Sequence, residues 1–504
     1  MHCETKRMKN RPVTPFIILG VALHLILVAC GAREPKESDR LQRPNVLMVL
    51  VDDLRPELNC YGAGHIISPY IDALAAESIV FTRAYTQQAV CAPSRNTLMT
   101  GLRPDGLGIH DLQTHFRDRA PDVITLPQYF KANGYRAEGM GKIYHTGHGN
   151  RDDSLSWSTP HWRASSIVQQ REPVESGDTT RMHTCYPLIN GKKIPWVNSA
   201  MDEQLHDDAL TATHAIERME ALKDSSFFLA VGFVKPHLPF VAPAKYWDMY
   251  DPGSIQIPSG ERPDDFPPYA FTNWGELRKY HDIPPTGSLS DEDARSMIHG
   301  YYACVSFIDA QVGRLVEELK RLDLYDNTII VLWGDHGWKL GEYGDWCKHT
   351  NYEIDTRIPV IIRVPGKTDQ PGRNSDVIIE TVDIYPTLCE LARLEVPEHQ
   401  QGNSFTPALE DAEFEWDDVA FSQYPRSHVD EKGRHSLMGI SMRTREYRLT
   451  RWMDRETQEL MATELYDHSG NRLEMENLSG SESNEELLNR STLRFEEEYK
   501  REHQ

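Results

Sequence analysis

Asn45-Val-Leu-Met-Val-Leu-Val51, followed at once by Asp52 and Asp53, decides the fold. An apolar, β-rich run of this kind reads as a strand buried on both faces, which is the pattern of a parallel sheet covered by helices. The chain repeats the theme. Ile71 to Ser78 reads as a helix, Leu126 to Asn133 as a helix before a strand at Gly134 to Met140, and Ser226 to Val234 as another strand. An amphipathic helix at Ala303 to Leu322 precedes a strand at Thr328 to Trp333; Val377 to Ile379 and a helix at Tyr385 to Leu394 close the unit. Strands separated by helical runs predict an α/β fold with a mostly parallel sheet and helices on both faces.

Each of four strands is followed by charged or metal-binding side chains. Asp52 and Asp53 follow Val51; Gly141, Lys142 and His145 follow Met140; Lys235 and His237 follow Val234; Asp335 and His336 follow Trp333. In open α/β sheets ligands bind at the carboxyl edge, so four such groups predict one shared site. Alone, each reads more often as a helix cap or a solvated loop residue than as a catalytic one. The carboxylates suit a hard dication such as Ca²⁺ or Mg²⁺. His336 is a softer donor beside them, and no cluster has zinc spacing.

A second stretch, Cys91-Ala-Pro-Ser-Arg95 running on to Thr100-Gly101, places Pro93 in the first turn of a helix and Gly101 just past its end. Cys91 then sits at a helix N-terminus, which favours a thiolate or a bound oxyanion, with Arg95 one turn on. The plain alternative is a buried thiol before a short helix.

These five residues resemble the C-x-P-S-R signature of the type I sulfatases, whose cysteine is oxidised to formylglycine (3-oxoalanine). Asp52 to Arg55, Gly141-Lys142 with His145, Lys235 to His237, Gly334 to Trp338 through Lys348, Ser422 to Arg426 and Gly439 to Thr444 resemble the iduronate 2-sulfatase branch. The resemblance covers about residues 44 to 470. It implies an alkaline-phosphatase-like α/β/α sandwich with a mostly parallel central sheet, and a smaller C-terminal α+β subdomain built on a short antiparallel sheet.

The resemblance also implies roles. Asp52, Asp53, Asp335 and His336, with the oxidised Cys91, hold one Ca²⁺, or Mg²⁺ in its place. Arg95 and Lys142 neutralise charge at the reacting centre, His237 and Lys348 bind the ester and protonate the departing sugar oxygen, and His145 takes a proton so that sulfate is expelled. The implied substrate is a sulfate ester of a carbohydrate, first an iduronate 2-sulfate-like unit of a glycosaminoglycan, and the implied partner is a formylglycine-generating enzyme or an equivalent maturase. Departures at His115-Phe116, Cys347 and His349 leave other sulfated polysaccharides open. The rivals are a phosphomonoesterase or phosphodiesterase of the same superfamily, expected to use Ser or Thr with zinc, and a non-catalytic glycan-binding lipoprotein. Trp338 and Tyr343 read either as pocket lining or as packing, and the loop-rich segments Thr146 to Ala200 and Val241 to Leu289 as the rim.

The ends and the composition set further expectations. A basic start and an apolar run from Phe16 to Ala29 end in Leu27-Val28-Ala29-Cys30, resembling a bacterial lipobox. This predicts a lipoprotein signal peptide over 1–30, a lipid anchor at Cys30, a tether over 31–42 and an exported protein of the bacterial periplasm or outer surface. The catalytic domain is expected over 43–394, a linker over 395–415 and the C-terminal subdomain over 416–504, with short strands at Val419 to Gln423, Gly439 to Arg443, Tyr447 to Trp452 and Glu464 to Asp467, then a helix over Asn484 to Arg501. The formal charge of −22 argues against a nucleic-acid partner, so an anionic substrate must be drawn in locally. Of eight cysteines, Cys60, Cys185, Cys304, Cys347 and Cys389 show no paired spacing, which predicts no disulfide framework.

Overall fold

In the computed structural model, strand β1 (Asn45–Val51) is hydrogen-bonded in parallel on both sides, Val46 lying opposite Phe228 on one neighbour and Ile329 on the other. That double pairing is why the run carries no polar alternation. The structure describes residues 43–502 apart from 165–187, 190, 367–371, 412, 417–418, 432 and 471–472. The signal, the tether, Cys30 and Cys185 lie outside the described residues.

Six more strands complete the sheet: β2 (Ile79–Tyr85), β3 (Arg136–Gly141), β4 (Phe227–Phe233), β5 (Thr328–Gly334), β6 (Arg357–Arg363) and β7 (Arg373–Glu380), in spatial order β7-β2-β6-β5-β1-β4-β3. Only β6 runs against the rest, antiparallel to both β2 and β5. The main helices are α1 (Pro69–Ala75), α2 (Cys91–Thr100), α3 (Leu126–Ala132), α4 (Asp207–Leu222), α5 (Asp291–Arg321) and α6 (Ile384–Leu391). Leu47, Val49 and Val51 point to the layer formed by α1, α4 and α5, while Val46, Met48 and Leu50 point to α2, α3 and α6. The result is an α/β/α sandwich with two cores.

Beyond it, β8 (Ala420–Asp430), β9 (Gly433–Arg443), β10 (Tyr447–Asp454) and β11 (Leu460–Asp467) form an antiparallel sheet in chain order, followed by α7 (Glu485–Glu502). This sheet is tied to the catalytic unit through backbone and buried charge. The Gln423 N–H donates to the Gln87 carbonyl at 2.8 Å, the Phe421 N–H to Glu380 Oε1 at 2.8 Å, and Glu353 accepts from Arg443 at 3.0 Å and Arg448 at 2.7 Å.

Several elements depart from the sequence reading. Thr82 and Arg83 break the apolar run of β2, and Pro359 with two flanking arginines disguises β6. Helix α4 is rich in Asp, Thr, His and Ala and carries little apolar contrast. Helix α5 starts earlier than Ala303, at Asp291, where the Ser290 hydroxyl accepts from the Asp293 N–H at 3.1 Å and three acidic residues fill the first turn. The C-terminal strands are longer than expected because their outer ends are polar. Cys60, Cys91, Cys304, Cys347 and Cys389 are free thiols.

Candidate active site

The four strands whose ends carry chemistry are adjacent in the sheet, as β5-β1-β4-β3. Their carboxyl ends therefore meet along one edge, and α2 delivers Cys91 to the same place. The thiol Sγ lies 3.4 Å from Asp52 Oδ1 and 3.3 Å from His336 Nε2, with Lys142 Nζ at 3.8 Å. Helix α2 begins at Cys91 after Val90, which offers no side-chain cap, and ends on Gly101 in the left-handed conformation. The Ser94 hydroxyl donates to the Asp335 carbonyl at 2.6 Å and pins the helix to the end of β5. Lys142 is brought in by two glycines: a Cβ on Gly232 would fall 2.1 Å from the Lys142 carbonyl oxygen, and one on Gly141, whose φ is +77°, 2.0 Å from that of Gly232.

Arg95 is fully buried and bridges two of the carboxylates, donating through Nε to Asp335 Oδ2 at 2.9 Å and through a terminal nitrogen to Asp52 Oδ1 at 3.2 Å. Lys142 donates to Asp52, and Lys348 holds Asp53 at 2.9 and 3.1 Å. Burial alone would raise the Asp52 carboxyl, but Lys142, His237 and Arg95 hold it well below the usual range; burial and the charge of Asp52 raise that of Asp335. Burial, then the Asp52 charge, push the Cys91 thiol well above its ordinary value. This corrects the expectation of a thiolate, because desolvation and the carboxylates outweigh the helix N-terminus.

His237 and Lys348 stand on the far side of the cluster. The His237 Nδ1–H donates to the Leu238 carbonyl at 2.7 Å, which leaves Nε2 facing Glu276 at 3.2 Å. Lys348 spans from Asp53 to Glu276, 3.1 Å away, and lies 4.6 Å above the Trp338 ring. Burial would lower the Lys348 ammonium, but Asp53 and Glu276 raise it well above its ordinary value. Its neighbours Cys347 and His349 adopt φ of +69° and +86°, left-handed values that non-glycine residues hold only where the surroundings enforce them.

A cleft of about 610 Å³ opens onto these groups, with Cys91, Lys142, His145, His237 and Lys348 in its wall and Lys192, Lys193 and Lys279 around its mouth. The residues named in the sequence from Asp52 to Lys348 thus converge only in part. Tyr343 does not line the cleft: its hydroxyl donates to Glu474 at 2.9 Å and its ring packs on Phe271 and Tyr352. Trp338 is fully buried beneath Lys348. His115 and Phe116 stack on each other below the surface. Conversely, sequence reasoning missed Glu276 and His148. Glu276 lies in an irregular segment read only as rim, and no spacing marks it. His148 is three residues beyond His145, and its imidazole was the one signal available.

The donor set fits a hard dication. Oxygens of Asp52 and Asp335, the Cys91 sulfur and His336 Nε2 lie within 4.8 Å of one another, and those of Asp52 and Asp53 with Cys91 and His237 form a second such group. The His336 Nδ1–H donates to the Gly337 carbonyl at 3.1 Å, so the lone pair of Nε2 faces the carboxylates, 3.5 Å from Asp53 and 3.6 Å from Asp335.

Comparison with known proteins gives the same direction. The Sulfatase family matches residues 44–394, and the family described as N-sulphoglucosamine sulphohydrolase, C-terminal, matches 341–501. The chain is 34% identical to the iduronate 2-sulfatase of Homo sapiens, covering 90% of this chain and 92% of that protein. It is 31% identical to a sulfatase of Formosa agariphila over 82% of this chain and 81% of that one. Among solved structures, the phosphonate monoester hydrolase from Silicibacter pomeroyi superposes with a TM-score of 0.74 at 23% identity, covering 91% of this chain and 96% of that one. At that identity the likeness shows the fold, the alkaline-phosphatase-like sandwich.

Proposed function

We propose, since this chain belongs to the type I sulfatase family and is a sulfuric ester hydrolase, that it removes sulfate from a carbohydrate, first an iduronate 2-sulfate-like unit of a glycosaminoglycan. The observation that carries the reading is the seat of Cys91: a buried side chain within 3.4 Å of both a carboxylate and an imidazole, at the floor of a cleft whose wall and mouth gather lysines in a chain of net charge −22. Such a cleft attracts an anion that the far field repels.

In this reading Cys91 is matured to formylglycine by a formylglycine-generating enzyme or an equivalent maturase. Asp52, Asp53, Asp335 and His336 would hold Ca²⁺, or Mg²⁺, which would supply charge neutralisation and a Lewis acid beside the side chain at position 91. The protein's own groups do the rest. Arg95 is locked between Asp52 and Asp335 and keeps the carboxylates oriented. Lys142 stands between Asp52 and the reacting side chain, where its ammonium offsets charge that builds on the sulfuryl oxygens; groups fixed beforehand in this way typically contribute about 3 kcal/mol each. His237 presents Nε2 and Lys348 its ammonium to the ester side of the cleft, where a leaving sugar oxygen needs a proton. His145 is held as a neutral base: burial, then the Lys142 charge, push it down to about 3. At the N-terminus, the lipobox motif supports a lipid anchor at Cys30 and a place in the bacterial periplasm or on the outer surface.

The test is sulfate release from defined disaccharides, each carrying one sulfate at a known position. Fast release from a 2-O-sulfated uronate supports the proposed substrate. Release only from other positions leaves a sulfatase of different specificity, and no release from any sulfated saccharide by matured, metal-loaded protein overturns the reading.

A further inference from the structure

His145 is buried, yet a base that takes a proton once per turnover must also return it to water. The structure offers a way out. His145 Nε2 lies 3.2 Å from Nδ1 of His148, and the two rings stack 5.5 Å apart at an interplanar angle of 11°. His148 is exposed at the mouth of the cleft, held there by a left-handed backbone with φ of +52°. The other nitrogen of His145, Nδ1, is buried with no hydrogen-bond partner. That nitrogen is therefore free to accept a proton. The inner side of the pair is charged: Lys142, Arg95 and Asp52 all act on His145.

We propose that His148 is the proton relay between His145 and bulk water. The proposal rests on the role of His145 in the sulfatase reading and deepens it. In the resting state of this relay His145 carries its hydrogen on Nε2, donated to Nδ1 of His148, and its Nδ1 is bare; His148 carries its hydrogen on Nε2, toward solvent. One proton enters at His145 Nδ1, the Nε2 proton passes to Nδ1 of His148, and the Nε2 proton of His148 passes to water. One N–H bond forms and one breaks on each ring, the net movement is a single proton outward, and no electron changes hands. Once sulfate has left, water filling the cleft takes the proton from His145 Nδ1, Nδ1 of His148 passes its proton back to His145 Nε2, and water at the mouth supplies one to His148 Nε2, which returns both rings to the starting tautomers. The transfer runs outward because burial and Lys142 disfavour a charged His145.

The experiment uses matured, metal-loaded full-length enzyme and a disaccharide with one 2-O-sulfate on its uronate. His148→Ala is expected to lower kcat about tenfold with KM little changed, less than the roughly 100-fold or more that a group acting directly on the substrate contributes because water replaces the relay in part, and added imidazole restores kcat in proportion to its free base. His148→Gln keeps a hydrogen-bonding group beside His145 but cannot relay, and is expected to be as slow as the alanine variant. Full kcat in His148→Gln, or a slow His148→Ala that imidazole does not rescue, overturns the relay while leaving the sulfatase reading intact. A wild-type enzyme that releases no sulfate from any saccharide overturns the reading and the relay with it.

Discussion

Glu276 shows how much one unmarked side chain decides. Its carboxylate lies 3.2 Å from His237 and 3.1 Å from Lys348, and Lys348 divides its ammonium between Glu276 and Asp53. Burial would raise Glu276, but Lys348 and His237 hold it well below the usual range. With that charge removed, Lys348 is left to Asp53 alone and His237 loses the partner of Nε2, so both groups drift from the ester side of the cleft. Glu276→Gln is expected to reduce kcat roughly 10- to 100-fold, the usual scale for a partner that orients a ligand-binding group, and Glu276→Asp to recover part of the loss; steady-state kinetics on the sulfated disaccharide decide it. Asp52, Asp53, Lys142, His145, His237, Asp335 and His336 were legible in the sequence because each follows a strand end at a fixed offset. Glu276 was not. It belongs to an irregular stretch whose position is fixed by packing at Trp274 and Leu277, and no periodicity announces it.

Among the elements, α5 carries a titrating group into its contact with α1. Asp309 on α5 accepts from the Ile71 N–H at 2.6 Å and the Tyr70 N–H at 3.3 Å at the start of α1, and burial pushes its carboxyl up to about 7. The folded value lies above that of an unfolded aspartate, so the folded chain holds the proton more tightly than the unfolded one. The stabilisation is fully present below about pH 4 and is lost as the pH rises through about 7. Asp309→Asn keeps an acceptor for the closer Ile71 N–H but cannot ionise. Its melting temperature relative to the wild type is expected to rise between about pH 5 and pH 8, measured by thermal unfolding; a constant difference contradicts the argument. The elements themselves were readable where the residues agreed with one environment. β1, β4 and β5 are near-continuous apolar runs because they are buried on both faces. β2 and β6 escaped because Thr82 and Arg83 interrupt the one, and Pro359 with arginines at both ends interrupts the other, although β6 is buried throughout; Arg83 pairs with Asp376 and Arg363 with Asp326.

At the scale of the whole molecule, the C-terminal sheet is joined to the sandwich by buried charge. Glu353 precedes β6 and accepts from Arg443 and Arg448 on β9 and β10, while Glu474 lies 3.1 Å from Arg448 and accepts from Tyr343 at 2.9 Å. The same loop that carries Lys348 therefore leads directly into this junction, and the junction helps fix the cleft. Removing one partner of a buried pair leaves the other uncompensated, which typically costs about 3–5 kcal/mol. Glu353→Ala is expected to lose that much in urea unfolding of the full chain, and Arg443→Met combined with it to recover a part. None of this junction was legible beforehand, since its pairs are roughly 90 residues apart and depend on the packing of two separate sheets.

The account depends on what occupies position 91. The most direct measurement is mass spectrometry of the tryptic peptide Ala84 to Arg95 from enzyme purified from a host with the maturase. The expected result is an aldehyde in place of the thiol, captured as its hydrazone, in the fraction that releases sulfate. An unmodified Cys91 in protein with full sulfatase activity would contradict the chemistry assigned to this cleft.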